Sequence, residues 1–265
     1  MTRNGPLSLI FHAVFVLFML APLLVIVWMA FTPESLLVLP TTRFSLRWFA
    51  AILNSRQFLD AFGFSILLGL LAATCAMLLA VPAALAVARH RFPGRDGVIA
   101  LFLSPLIIPH VVLGVAFLRF FTGIGVQGSF AAVLASHVLV IFPYGLRLVL
   151  AALVSADPAL ERAALSLGAS RWTLFRRLTL PLMLPGVAGG WVVSFIQSFD
   201  EVTMTAFIAT PSSMTLPVRM YHYIEESIDP LVASVSTVVI LGTFVLMLVI
   251  DRIYGLDRML VGKGR

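Results

Sequence analysis

The stretch Ser155–Gly186, "SADPALERAALSLGASRWTLFRRLTLPLMLPG", decides how the rest of the chain is read. Asp157 followed by Pro158 is an N-cap residue followed by one preset for the first helical position. Gly168 supplies a left-handed stop, so a short helix runs from Pro158 to about Leu167. Ser170 caps a second, cation-rich helix over Arg171–Leu180, and Pro181 and Pro185 mark the return to an apolar segment. On the first helix Leu160, Ala163, Ala164 and Leu167 recur at i, i+3, i+4 and i+7 and share one face. Alanines there let another surface approach closely. Two readings stay open on these residues: a lever pushed by a partner, and an amphipathic helix resting on lipid headgroups.

Outward from this loop the chain is apolar. Of 265 residues 60% are hydrophobic and 11% charged, against roughly 25% charged in an ordinary soluble domain. That excludes disorder, coiled coil and an ordinary soluble enzyme, and leaves a polytopic membrane protein. Six runs are long enough to cross about 30 Å of hydrocarbon as helices: Leu7–Phe31, Ala61–Ala88, Val98–Leu118, Phe130–Val154, Leu180–Ile208 and Pro230–Ile250. None alternates in the manner of a barrel strand, so the expectation is all-α with six transmembrane helices. The first run exceeds a signal-peptide core and no A-x-A-like site follows it, so it reads as a retained span. The organisation expected is a first span over 1–31, an external segment over 32–60, a five-span core over 61–254 that includes the loop at 155–180, and a tail over 255–265.

The net charge is +6. Its placement between apolar runs ties it to orientation in the lipid bilayer, with no call on nucleic acid. Arg3, Arg89, Arg91, Arg95, Arg162, Arg171, Arg176, Arg177, Arg252, Arg258, Lys263 and Arg265 fall on one side. Arg43, Arg47, Arg56, Arg119 and Arg219 fall on the other. The bias puts both termini in the cytoplasm. "SLRWFAAIL" (Ser45–Leu53) reads as a short helix lying on the outer surface. The lone cysteine, Cys75, excludes an intrachain disulfide. No spacing of His, Cys, Asp and Glu suggests a metal site, and no nucleophile stands beside a base, so no catalytic residue is expected. Lys263, the single lysine, is followed by Gly264 rather than by Ser or Thr, so no Walker A loop is present.

Two acids, Asp200 and Glu201, fall inside the fifth run about 19 residues, or roughly 28 Å of helix rise, beyond Pro181. An intramembrane acid implies a pathway or a partner. One reading is a vestibule for a cationic solute, with Gln197 and Ser194 on a similar face one and two turns below. The other is a structural pair with an arginine. His110 and His137 also lie within spans, and Pro105, Pro109 and Pro143 bend theirs or serve as pivots.

The residues carry a resemblance. "ERAALSLGAS" (Glu161–Ser170) followed by "LTLPLMLPG" (Leu178–Gly186) is similar to the EAA loop of permease subunits of bacterial ABC importers. Ala163, Ala164 and Gly168 match that pattern, as do Leu178, Leu180 and Pro181. Arg162 stands where the pattern has glutamate, and Glu161 is one position earlier. "RHRFPGRD" (Arg89–Asp96), "LSPLIIPHVVLG" (Leu103–Gly114) and the stretch Phe199–Leu241 resemble the spermidine/putrescine-type subfamily. The resemblance implies a type I ABC importer permease fold in a bacterial inner membrane. It implies a second permease subunit, a pair of ATPase subunits that hold ATP and Mg, and a periplasmic solute-binding protein. It also implies a docking role for Glu161, Arg162, Ala163, Ala164, Leu167 and Gly168, and a pathway for a small organic solute such as a polyamine. The rival expectation is an ion-coupled carrier or channel that uses Asp200 and Glu201.

Overall fold

Apolar runs of bilayer length have one way to satisfy their backbone without water, and each winds into a helix. The computed structural model describes residues 5–36 and 43–254; the expected tail at 255–265 lies outside the described residues, as do Arg3, Arg258, Lys263 and Arg265. Every regular element among the described residues is helical. In chain order they are α1 (Pro6–Met29), α2 (Arg47–Asn54), α3 (Arg56–Arg89), α4 (Arg95–Leu103), α5 (His110–Gly123), α6 (Phe130–Ser155), α7 (Pro158–Ser166), α8 (Arg171–Leu174), α9 (Leu180–Phe199), α10 (Thr205–Ile208), α11 (Leu216–Glu226) and α12 (Leu231–Tyr254). Five spans are long and apolar enough to cross by themselves: α1, α3, α6, the continuous Arg171–Phe199 segment, and α12.

The chain divides into two units, one of Met1–Asp60 with Met220–Val249 and one of Ala61–Arg219 with Ile250–Arg265. In the first, α1 is apolar around its whole circumference and buries no side chain, as suits a helix solvated by lipid. The amphipathic α2 follows the expected stretch and is pinned to the segment after α1. Arg47 donates to the Pro33 carbonyl at 2.9 Å and the Trp48 indole N–H donates to the Glu34 carbonyl at 3.1 Å. The Ser234 hydroxyl donates to the Ala30 carbonyl at 3.0 Å, which joins the start of α12 to the end of α1.

In the second unit α6 and α9 form the principal pair, and glycine makes their close approach possible. A Cβ at Gly186 would meet the Leu148 carbonyl oxygen and the Ala152 Cβ, each at 2.6 Å. Gly145 and Gly190 repeat the arrangement nearer the middle, with Gly145 Cα 3.3 Å from a Cβ placed at Gly190. With lipid as solvent, such small-residue contact is what holds two helices together.

The third run departs from a straight helix. Residues Arg95–Leu106 and α5 meet at a bend of 96°. Pro105 and Pro109 account for it: each lacks an N–H, and Pro109 precedes the first helical residue of α5. The bent pair is nevertheless a crossing. Phe64 near the start of α3 and Phe130 at the start of α6 meet with ring centroids 5.7 Å apart. Arg89 at the end of α3 pairs with Glu161, just past the end of α6. The two helices run parallel, so the chain between them must return across, and the bent pair makes the sixth span.

Two expectations are corrected. The cation-rich helix after Ser170 does not stop at Pro181. It passes through a π-helical turn at Phe175–Thr179 straight into α9. A widened turn draws the carbonyl four residues back away from the proline ring, which lets the helix continue through Pro181. The fifth run also does not stay helical to Ile208. The helix ends at Phe199, Asp200 closes its last turn with an N–H to the Ile196 carbonyl, and Glu201 lies beyond it.

Candidate coupling loop and intramembrane acid site

The loop helix α7 is terminated on both sides by its own residues. The Asp157 carboxylate accepts the Ala159 N–H at 2.8 Å. At the other end Gly168 takes φ +83°, the Ala169 N–H reaches the Ala164 carbonyl at 3.1 Å and the Gly168 N–H the Leu165 carbonyl at 3.0 Å. That is the paired bonding of a Schellman stop, and it needs the positive φ that glycine adopts freely. The Ser170 hydroxyl then accepts the Thr173 N–H at 3.1 Å, which starts α8. Both ends of α7 and the start of α8 are thus fixed by local bonds, with a single left-handed residue between the two helices.

The residues expected to dock divide into two faces. Glu161 turns inward. Its carboxylate pairs with the Arg89 guanidinium, and the Thr179 hydroxyl donates to the same oxygen at 3.4 Å. The Arg89 and Glu161 side chains are only 24% and 18% exposed, so the pair is sheltered from solvent screening. One acid thereby ties α7 to the end of α3 and to the π turn that leads into α9. Arg162, Ala163, Leu167 and Gly168 are exposed, Leu167 to 89%, and Ala164 is half-buried.

The pathway candidates do not form one cluster. Ser194 is fully buried against α6, and its hydroxyl has no partner. Gln197 is half-buried, and Asp200 is exposed at the helix end. Glu201 is 7% exposed, and both its oxygens are occupied. Oε1 accepts the Met204 N–H at 2.6 Å, and Oε2 accepts from His110 Nδ1 at 2.6 Å. On the reading of a structural pair, the partner of Glu201 within this chain is a histidine rather than an arginine, the first residue of α5, set immediately after the 96° bend. Beside it, buried His137 of α6 bonds Ser198 and Thr205 through its two ring nitrogens, at 2.9 Å each. Together these side chains join α5, α6, the end of α9 and α10. Both histidines stood out in the sequence, but Ser198 and Thr205 did not; a hydroxyl in an apolar run is the only local signal they give.

A cavity of about 730 Å³ opens between α3, α4 and α6, lined by Cys75, Leu79, Phe102, Leu134, Val138 and Phe142 among others. No Asp, Glu, His, Lys or Arg is among its lining residues. Among the described residues no group of three or more His, Cys, Asp or Glu is placed to hold a metal ion.

The family described as "Binding-protein-dependent transport system inner membrane component" matches residues 77–256, which run from mid-α3 through the loop and the acid site into α12. The chain belongs to this family. Like other such inner-membrane components, it is a permease subunit of an ABC importer rather than an enzyme. The spermidine/putrescine transport system permease protein PotC of Escherichia coli K12 is 31% identical over 205 residues, 77% of this chain and 78% of that protein. The putrescine transport system permease protein PotI of the same organism is 27% identical over 230 residues, 84% of this chain and 82% of that one. A crystal structure of a bacterial alginate ABC transporter, in complex with its alginate pentasaccharide-bound periplasmic protein, contains a chain that overlays with a TM-score of 0.73 at 19% identity, covering 96% of each. That likeness shows the importer-permease fold.

Proposed function

We propose that this permease forms half of the translocation pathway of an ATP-driven importer for a small organic solute, a polyamine or another small cation. It pairs with a second permease subunit. It receives solute from a periplasmic binding protein, and it is driven by two ATPase subunits that hold the ATP and Mg. Both termini face the cytoplasm, following the positive-inside bias of the loops. The observation that carries the reading is the loop. A capped helix, α7, stands at the ends of three spans, exposes one face, and is fixed through Glu161 to α3 and to the start of α9. A push on such a helix is a push on the spans.

The cationic solute rests on the PotC and PotI likeness and on exposed Asp200, whose charge attracts cations. Glu201 serves less well as a solute contact, because His110 and the Met204 N–H already use its oxygens.

The test is purification of the tagged chain from its native membrane, followed by reconstitution of what accompanies it. The expected result is a complex with an ATPase and a second permease that takes up labelled putrescine or spermidine only with ATP and binding protein. Uptake by this chain alone along an ion gradient would refute the reading and favour the carrier.

A further inference from the structure

The loop carries an unusual balance of charge once its internal pairs are removed. Asp157 is spent on capping the Ala159 N–H, and Glu161 is paired with Arg89. The exposed charges that remain between Asp157 and Leu180 are Arg162, Arg171, Arg176 and Arg177, all cations. Among the described residues Arg162 forms no ion pair.

Helical phase shows where they point. Successive residues of α7 advance by about 100°. Glu161 marks the direction of the span ends, because its partners Arg89 and Thr179 lie there. The opposite direction belongs to Ala159, Ala163 and Ser166, flanked by Arg162 on one edge and Leu167 on the other, all exposed. This face has small residues at its centre, a cation on one edge and a leucine on the other. It turns away from the span ends and hence from the headgroups, which disfavours lipid as its occupant and favours a soluble protein surface.

Building on the proposed docking of α7, we infer that the ATPase groove receiving this helix presents a carboxylate to Arg162, beside an apolar wall for Leu167. An acid is the natural complement of an unpaired guanidinium, whose N–H groups donate two parallel hydrogen bonds to the carboxylate oxygens. Across an interface such a pair sets which partner docks and in which register. The acid of the loop, Glu161, works within this chain, and the contact across the interface is made by a base.

The experiment uses the full chain in its native membrane, extracted in mild detergent. The amount of co-purifying ATPase, identified by its nucleotide-binding motif, is compared for wild type, Arg162→Lys, Arg162→Ala and Arg162→Glu. Wild type is expected to bring the ATPase down in fixed ratio, with recovery falling as salt rises from 50 to 500 mM. Arg162→Glu is expected to lower recovery about tenfold or more, as loss and reversal of one interfacial charge pair should. Arg162→Ala should lower it less and flatten the salt dependence, and Arg162→Lys should retain most of it. Reversing the facing acid on the ATPase to arginine should restore the Arg162→Glu complex. Arg162 is solvent-exposed, so each variant is expected to match wild type in melting temperature. Unchanged recovery with Arg162→Glu overturns the inference while leaving the docking intact. A loss on removal of anionic lipid that wild type and Arg162→Lys show and Arg162→Ala does not also overturns it and assigns Arg162 to headgroups. Absence of any ATPase with wild type overturns the proposed function itself.

Discussion

Replacing Gly186 with alanine should loosen the α6–α9 pair. A Cβ at this position lies 2.6 Å from the Leu148 carbonyl oxygen, 2.6 Å from the Ala152 Cβ and 3.3 Å from the Leu148 carbonyl carbon. Carbon atoms rest about 3.5–4.0 Å apart, so the helices must part by about 1 Å. The obstacle is largely backbone, which has no rotamer to change. Overpacking of this kind costs about 1–3 kcal/mol. A gap of that size also forfeits about a quarter to a half of the dispersion energy of neighbouring contacts, which puts the cost toward the upper end. At about 2–4 °C per kcal/mol for a chain of this length, melting should fall by about 5–10 °C. Cys75, half-buried on α3 and the sole cysteine, provides the assay: its reaction with a thiol-reactive fluorophore, in detergent, reports the melt. Gly145→Ala is the matched comparison. Its Cβ meets Met77 Sδ at 2.6 Å, but the next atoms are at 3.5 Å, and a methionine side chain can swing aside. Its loss should stay below about 1 kcal/mol, within the range of tolerated swaps. Gly63→Ala, with nothing within 4 Å, should be neutral or slightly stabilising. Equal melting of Gly186→Ala and wild type, or a larger loss at Gly145, would refute the reasoning.

Gly168→Val should strain the loop rather than crowd it, since nothing lies within 4 Å of its Cβ position but its φ is +83°. A cost of about 1–2 kcal/mol falls on the Schellman stop, and ATP hydrolysis in the reconstituted complex should continue while solute uptake drops; normally coupled uptake would remove the lever role from α7. Glu201→Gln keeps an oxygen for the Met204 N–H and should melt close to wild type. Glu201→Ala orphans that N–H as well as His110, at about 1–3 kcal/mol, and should melt several degrees lower; equal melting of the two variants would show that the bond from Met204 carries no stability.

The bilayer made the spans legible. A requirement for about 20 apolar residues per crossing leaves a mark that composition alone reveals. Capping is equally local, which is why Asp157, Gly168 and Ser170 stand where the sequence suggests. The end of α9 was not legible for a physical reason. Hydropathy continues across Asp200 and Glu201 to Ile208, and nothing in the local pattern says that the Glu201 carboxylate closes a turn onto the Met204 N–H. Its other partner, His110, is 91 residues away. The same holds for Glu161. Its place in the motif suggests an outward contact, and only the fold brings Arg89 to it from 72 residues away. Pro181 misled in the opposite sense: a proline after a cation-rich segment reads as a break, yet the preceding π turn absorbs it.

That π turn has a consequence for timing along the helix. A π turn amounts to one residue more than a regular α-helix holds, and one residue is about 100° of rotation. Upstream of it are Trp172 and the loop; downstream are Gly186 and Gly190, which must face α6. Phe175–Thr179 therefore acts as a phase setter, fixing the rotational offset between the part of the helix that belongs to the loop and the part that belongs to the membrane. A substitution there leaves the offset in place. The loss of a single residue there would close the widened turn into a regular one and leave the glycine face of α9 toward α6, whereas the same loss between Leu182 and Gly186 would turn that face by about 100° toward lipid.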